Sequence, residues 1–246
     1  MSRLELKALV AALIFIIIEG VGMFTMYHVF GISYSSDFVA RVLIYTQFIL
    51  VIYVFVVNIN IFKNLGFEKL RLNEIKCFLP FAILGMLLII SSIISADWKS
   101  DIDYTLLIQT VIMTLFVGIA EEVMFRGIVL KSFLKKGKVK RAVIISAVAF
   151  SLLHSVNILA GVNVITIIPQ LVLTLIFGLS FGWIAVKIKN IIPLIIFHWI
   201  WDMCVISSKI IGSNIIVLST LAIILQVIVV IHFMKKVKVD GDSEIV

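Results

Sequence analysis

The stretch Gly118–Gly127, GIAEEVMFRG, decides how the rest of the chain is read. It sets Glu121, Glu122 and Arg126 inside a run apolar enough to cross a bilayer. On the insertion scale each such charge costs about 2.5–3.5 kcal/mol at the bilayer centre, so charged side chains there face one another or a cavity and mark function. On an α-helix Glu122 and Arg126, four apart, share a face with the carboxylate N-terminal to the cation, the favourable order for a pair. Glu121 is rotated about 100° from Glu122 and shares its face with Gly118 and Phe125. The spacing therefore predicts that Arg126 neutralises Glu122, while Glu121 stays unpaired and free to act as a general base.

Working outward, the composition fits that reading. The 246 residues are 62% hydrophobic and their mean hydropathy is +1.22. Apolar runs of 18 or more residues identify transmembrane helices. They fall at roughly 8–28, 38–60, 77–96, 105–130, 142–160, 164–186, 190–208 and 212–233, which predicts an all-α, polytopic membrane bundle of about eight spans. The first run follows Lys7, carries Glu19 and lacks a small-residue cleavage site, so it is expected to remain as a span. No repeat, linker or second domain is evident; residues 1–246 read as one integral membrane domain, with a motif-bearing core over 105–205. Pro80 and Pro193 fall in first helical turns, where proline is tolerated. Pro169 predicts a kink in the sixth span, and Gly178 and Gly182 predict close helix packing there.

The net charge of +7 does not point to nucleic acid, because the basic residues sit in short segments between spans. Seventeen lie on the side of the two termini, in stretches such as KNLGFEKLRLNEIK (63–76) and KSFLKKGKVKR (131–141). Only Arg41, Lys99 and Lys209 lie on the other, which predicts cytoplasmic termini. The C-terminal DGDSEIV reads as a disordered tail, and Cys77 and Cys204 read as ordinary thiols rather than a disulfide.

Counted from the cytoplasmic ends of their spans, His154, His198 and Glu121 lie at depths of roughly 18, 12 and 15 Å. Three titratable groups on three helices thus reach about one level. Asp202 follows His198 by four and shares its face. Phe150 precedes His154 by four, and Asn157 follows it by three. Any one intramembrane histidine is as readily a hydrogen-bonded packing residue; the common depth is what argues for a site. His28 and His232, at span ends, read as interfacial anchors, and Trp199 and Trp201 as packing residues. Glu19 is left between site member, polar partner and packing residue.

Three motifs then stand in order on separate spans. GIAEEVMFRG fits EExxxR, FSLLH (150–154) fits FxxxH, and HWIWD (198–202) fits HxxxN/D. Together they resemble the CAAX protease and bacteriocin-processing (CPBP, or Abi) family, which includes the type II CAAX prenyl endopeptidases. The resemblance implies an eight-helix intramembrane endopeptidase with a cytosol-facing conical cavity, acting on a peptide or protein substrate at the membrane. It implies that Glu121 and His154 activate a water, and that His198 and Asp202 stabilise the oxyanion. Glu122 and Arg126, with Phe150 and Asn157, would be supports. Aspartate donates a hydrogen bond only when it holds a proton, so Asp202 in place of asparagine bears on that role. Family members are often called metalloproteases, and Glu121, His154 and His198 could supply three zinc ligands. No HExxH spacing is present, and a metal-free water is the expected chemistry. A bacteriocin self-immunity or regulatory membrane protein on the same scaffold, or a transporter or proton relay, are the readings from other classes. The sequence gives no oligomeric state.

Overall fold

The computed structural model describes residues 1–63, 66–70, 74–98, 101–134 and 139–240, the last four of these by backbone alone. Eight helices among them are long and apolar enough to span a membrane: α1 Arg3–His28, α2 Asp37–Phe62, α3 Ile75–Ser95, α4 Tyr104–Leu134, α5 Val139–Ala160, α6 Val164–Ile188, α7 Ile192–Ile210 and α8 Ile216–Lys236. The described residues contain no strand, only an isolated bridge between Phe67 and Asn190. An all-α membrane bundle is what the hydropathy pattern anticipated. Parts of the two basic connectors and nearly all of the acidic tail lie outside the described residues.

Sequence chemistry sets the ends. Ser2 caps α1 in a reciprocal box with Glu5. Asp103 caps α4 by accepting from the Leu106 amide at 2.9 Å and also binds Arg41 of α2 at 2.8 Å. The Leu106 amide and then the Arg41 guanidinium hold the Asp103 carboxyl below its usual range. Pro193 opens α7 within its first turn, as expected. Pro169 is accommodated inside a helix that runs unbroken from Val164 to Ile188.

The central helix is α4, which packs on α2, on α7 and on α5. Small residues permit this. A methyl on Gly118 would sit 3.1 Å from the Ile195 carbonyl and 3.2 Å from the Trp199 amide, so α4 and α7 touch backbone to backbone there. Gly178 does the same for α5 and α6, where an added carbon would lie 2.8 Å from Ala147 Cα. Outward-facing side chains such as Ile94, Ile165 and Tyr45 are 70% or more exposed, a surface suited to lipid rather than water. The core is aromatic: Phe81, Phe125, Phe150, Phe181 and Phe197 are almost wholly buried.

Two spans depart from α geometry at the motifs. From Glu122 to Leu130, α4 is π-helical, and every residue of that stretch is buried. From His154 to Ala160, α5 tightens into a 3₁₀ helix that ends at Gly161. Single π turns inside α-helices recur at functional sites. The 3.6-residue wheel used above therefore holds only up to Glu121. Gly161 carries φ +86° with its α-carbon against the Tyr27 ring, where an added carbon would lie 2.8 Å from Cε2. Only glycine closes the span that way.

Candidate active site

The site is built from the middle of α4 outward. Glu122 and Arg126 pair at 2.9 Å, both side chains fully buried. The pair holds although the backbone between them is π-helical. Arg126 Nε and Nη2 have no hydrogen-bond partner among the described residues. Instead the guanidinium lies 4.1 Å from the centroid of Phe150, and 5.6 and 5.8 Å from those of Phe177 and Phe181. Desolvated contacts of this kind are worth about 2 kcal/mol or more. The aromatic of FxxxH is thus a cushion for the arginine of EExxxR. Its ring also meets His154 edge-on at 5.1 Å and His198 at 6.1 Å.

Glu122 has a second task that the sequence reading missed. Its Oε1 also contacts His198 Nδ1 at 2.9 Å. A carboxylate accepts, so Nδ1 carries a hydrogen and the ring's orientation is fixed. His198 Nε2 then faces Asp202 Oδ2 at 3.3 Å and Glu121 Oε2 at 3.7 Å. The expectation of a lone Glu121 is corrected to that extent: it stands beside the imidazole, beyond hydrogen-bond length. Glu122 is likewise not committed to Arg126 alone.

His154 is brought to the same cavity as Glu121, His198, Asp202, Phe150 and Asn157. Its Nδ1 is anchored on the Phe150 carbonyl at 3.1 Å, four residues back, which leaves Nε2 as its remaining polar atom. Asn157 donates to Gln170 Oε1 at 3.2 Å, and Gln170 donates to the Tyr34 hydroxyl at 3.3 Å. This polar string across three segments was not legible in the sequence, since Tyr34 lies in a connector and Gln170 is a lone amide. Burial, above the nearby carboxylates Asp202, Glu121 and Glu19, pushes the Tyr34 phenol up to about 12, so it keeps its hydrogen. Having accepted from Gln170, it can donate that hydrogen. Glu19 also lines the cavity; both its oxygens lie 2.9 Å from Gln47 Nε2.

The cavity is about 510 Å³, within the range of binding pockets. Its direction bears on two separate expectations, cytoplasmic termini and a cytosol-facing cavity. Its floor is Glu121, Phe150, Phe177 and His198, and its rim includes the exposed Asp37 and Lys209. The rim is thus at the end of the bundle away from the chain's termini. Cytoplasmic termini and a cytosol-facing cavity exclude each other in this fold.

The suggested zinc set of Glu121, His154 and His198 does not fit as the side chains stand. Both nitrogens of His198 are engaged by carboxylates, and His154 Nδ1 by a carbonyl. Among the described residues no three His, Cys, Asp or Glu side chains converge as a metal-holding group. Other residues behave simply: Trp199 donates to the Val111 carbonyl at 3.0 Å, His28 packs at a tilt on Phe24 and edge-on to Tyr27, and Cys77 and Cys204 are free thiols. Trp201 lines the cavity.

Comparison with known proteins bears on this segment. Residues 103–204 match the family model described as type II CAAX prenyl endopeptidase Rce1-like. The match takes in Glu121, His154 and His198, so the part of the chain that builds the site is similar to a protease family, and the eight apolar helices fit a multi-pass membrane protein. A comparison with curated proteins returned no match.

Proposed function

We propose that the protein is an intramembrane endopeptidase in which Glu121 takes a proton from the attacking water. The observation that carries this is the cluster on the cavity floor. Glu121 stands 3.7 Å from a histidine whose far side is locked by a buried Glu122–Arg126 pair. His154, held by its Nδ1, offers Nε2 to orient that water. His198 and Asp202, in contact at 3.3 Å, stand where the developing oxyanion needs donors. Asn157, Phe150, Glu122 and Arg126 position these groups. The hydrolysis adds water across the peptide bond: the hydroxide goes to the carbonyl carbon, and Glu121 passes the proton to the leaving amine.

The charge asymmetry of the connectors supports cytoplasmic termini, and the exposed apolar faces support a bundle that lies in a bilayer. The test of the activity is cleavage of membrane peptides by purified wild-type protein and by Glu121→Gln. Glutamine keeps the shape and cannot accept the proton. Equal turnover by the two proteins would remove Glu121 from the mechanism.

A further inference from the structure

We infer that the cavity receives its substrate from the extracytoplasmic side, as an extended apolar segment of a peptide exported through or anchored at the outer membrane face. This rests on the protease reading for what happens at the floor, but not for which side is open.

The shaft is closed toward the chain's termini. Its walls come from the second half of α1, through Glu19 and Met23, and the first half of α2, through Val39 and Leu43. Beneath the floor, Phe81, Phe125, Arg126, Phe181 and Phe197 are at most 1% exposed and seal the bundle toward the termini. At the other end the rim is polar and wet, with exposed Asp37 and Lys209; the lysine reaches the Ser35 carbonyl at 3.2 Å and straps the connector to α7. The termini side carries seventeen lysines and arginines against three on the rim side. Loop charge of that asymmetry orients a polytopic chain with its basic side in the cytoplasm. The same charges that hold the termini inside therefore turn the mouth outward.

The depth defines what fits. Lys209 follows His198 by eleven residues on α7, a rise of about 16 Å. An extended chain advances about 3.3–3.6 Å per residue, so about five residues reach from rim to floor. The upper walls are mostly apolar, with Met23, Val39, Leu43, Met113 and Ile206, and among their polar groups Glu19 is already bound by Gln47 and Gln170 by Asn157. The segment entering is therefore largely apolar over about five residues on the rim side of the cut bond.

The test labels single cysteines in whole cells with a membrane-impermeant maleimide, in a Cys77→Ser, Cys204→Ala background. Asp37→Cys and Ile206→Cys should label in intact cells, and Lys140→Cys only after permeabilisation. The reverse pattern overturns the inference. If that background fails to fold, a green fluorescent protein fused after the C-terminus reports the same orientation: fluorescence supports a cytoplasmic terminus, and its absence with full expression overturns it. In a second arm, a quenched peptide with five apolar residues and a charged, impermeant tail is added to intact cells. Cleavage lost with Glu121→Gln supports outside access. Outside labelling, with Glu121-dependent cleavage only after permeabilisation, overturns outside access and leaves the protease reading standing. Outside labelling with cleavage in neither preparation withdraws the substrate class and the protease reading together, while the outward mouth stands.

Discussion

Arg126 is the residue whose removal should be felt most. Among the described residues it is the largest fully buried side chain, it binds Glu122 at 2.9 Å, and it rests on three phenylalanine rings. Arg126→Met keeps most of the volume and the contact with Phe150 but leaves Glu122 with His198 alone. Breaking one side of a buried pair costs about 3–5 kcal/mol. For a chain of this size each kcal/mol moves the midpoint by about 2–4 °C, so the variant should melt about 6–20 °C lower. Glu122→Gln should fall in the same range, because it strands the guanidinium. The double variant Glu122→Gln, Arg126→Met buries neither charge and should lose less than the two single losses added, by about 0.5–3 kcal/mol. Thermal unfolding of the four proteins in one detergent measures the cycle. Additive losses, or single variants that melt with the wild type, would refute the pairing as the support of the floor. Activity separates the second role of Glu122: the double variant should remain poorly active when it is well folded, because His198 Nδ1 then meets a neutral amide oxygen in place of the carboxylate.

Glu121→Ala should abolish cleavage by about 10²–10⁴-fold, the usual worth of a general base, while the protein stays inserted and monodisperse. Retention of more than about a tenth of the activity would assign the base elsewhere. Gly118→Val should separate α4 from α7, where only 3.1–3.2 Å is free, and lower both stability and activity; wild-type melting would show that the contact is dispensable. Purified protein should carry less than about one zinc per ten chains and keep its activity through slow, strong chelation, as expected if the engaged nitrogens of His198 stay with their carboxylates. Stoichiometric zinc, with activity lost on chelation and restored by the metal, would show that the side chains rearrange around an ion.

The bundle was legible because lipid imposes a simple code: runs of 18 or more apolar residues, broken by charged connectors. The site was legible for a related reason. Charges such as Glu121, Glu122, Arg126 and Asp202 stand out against an apolar background, and helical rise alone brought Glu121, His154 and His198 to about one depth. Three things did not follow from it. The π turn after Glu121 leaves no mark in hydropathy, and it makes an α-helical wheel fail where the motif is densest. The sharing of Glu122 between Arg126 and His198 depends on how α4 meets α7, which is set by a close approach at Gly118. Tyr34, Gln170 and Gln47 are isolated polar residues whose partners lie 28 to 136 positions away, for Gln47 with Glu19 and Gln170 with Tyr34. The direction of the mouth needed the three-dimensional wall, because depth along a helix does not say which end of the bundle is open.

Asp202 is the aspartate option of the HxxxN/D pattern, and the structure turns that into a test. At the floor three carboxylates, Glu121, Glu122 and Asp202, gather around one guanidinium and one shared imidazole. Asparagine at 202 would bring its own N–H to the oxyanion and would remove one negative charge from the cluster. Aspartate can donate only with a proton drawn from its neighbours. Asp202→Asn should therefore keep activity within about tenfold of the wild type and melt at or above it, since like charges close together disfavour the folded cluster. Asp202→Ala removes the donor altogether and should cost about 10²–10³ in kcat, the usual worth of an oxyanion contact. Peptide cleavage and thermal unfolding of both variants decide the matter. If Asn is as damaging as Ala, the carboxylate itself is required. Asp202 would then serve as the partner that holds the proton on His198 Nε2, and the donor to the oxyanion would have to be sought in His198 and the hydroxyl of Tyr34.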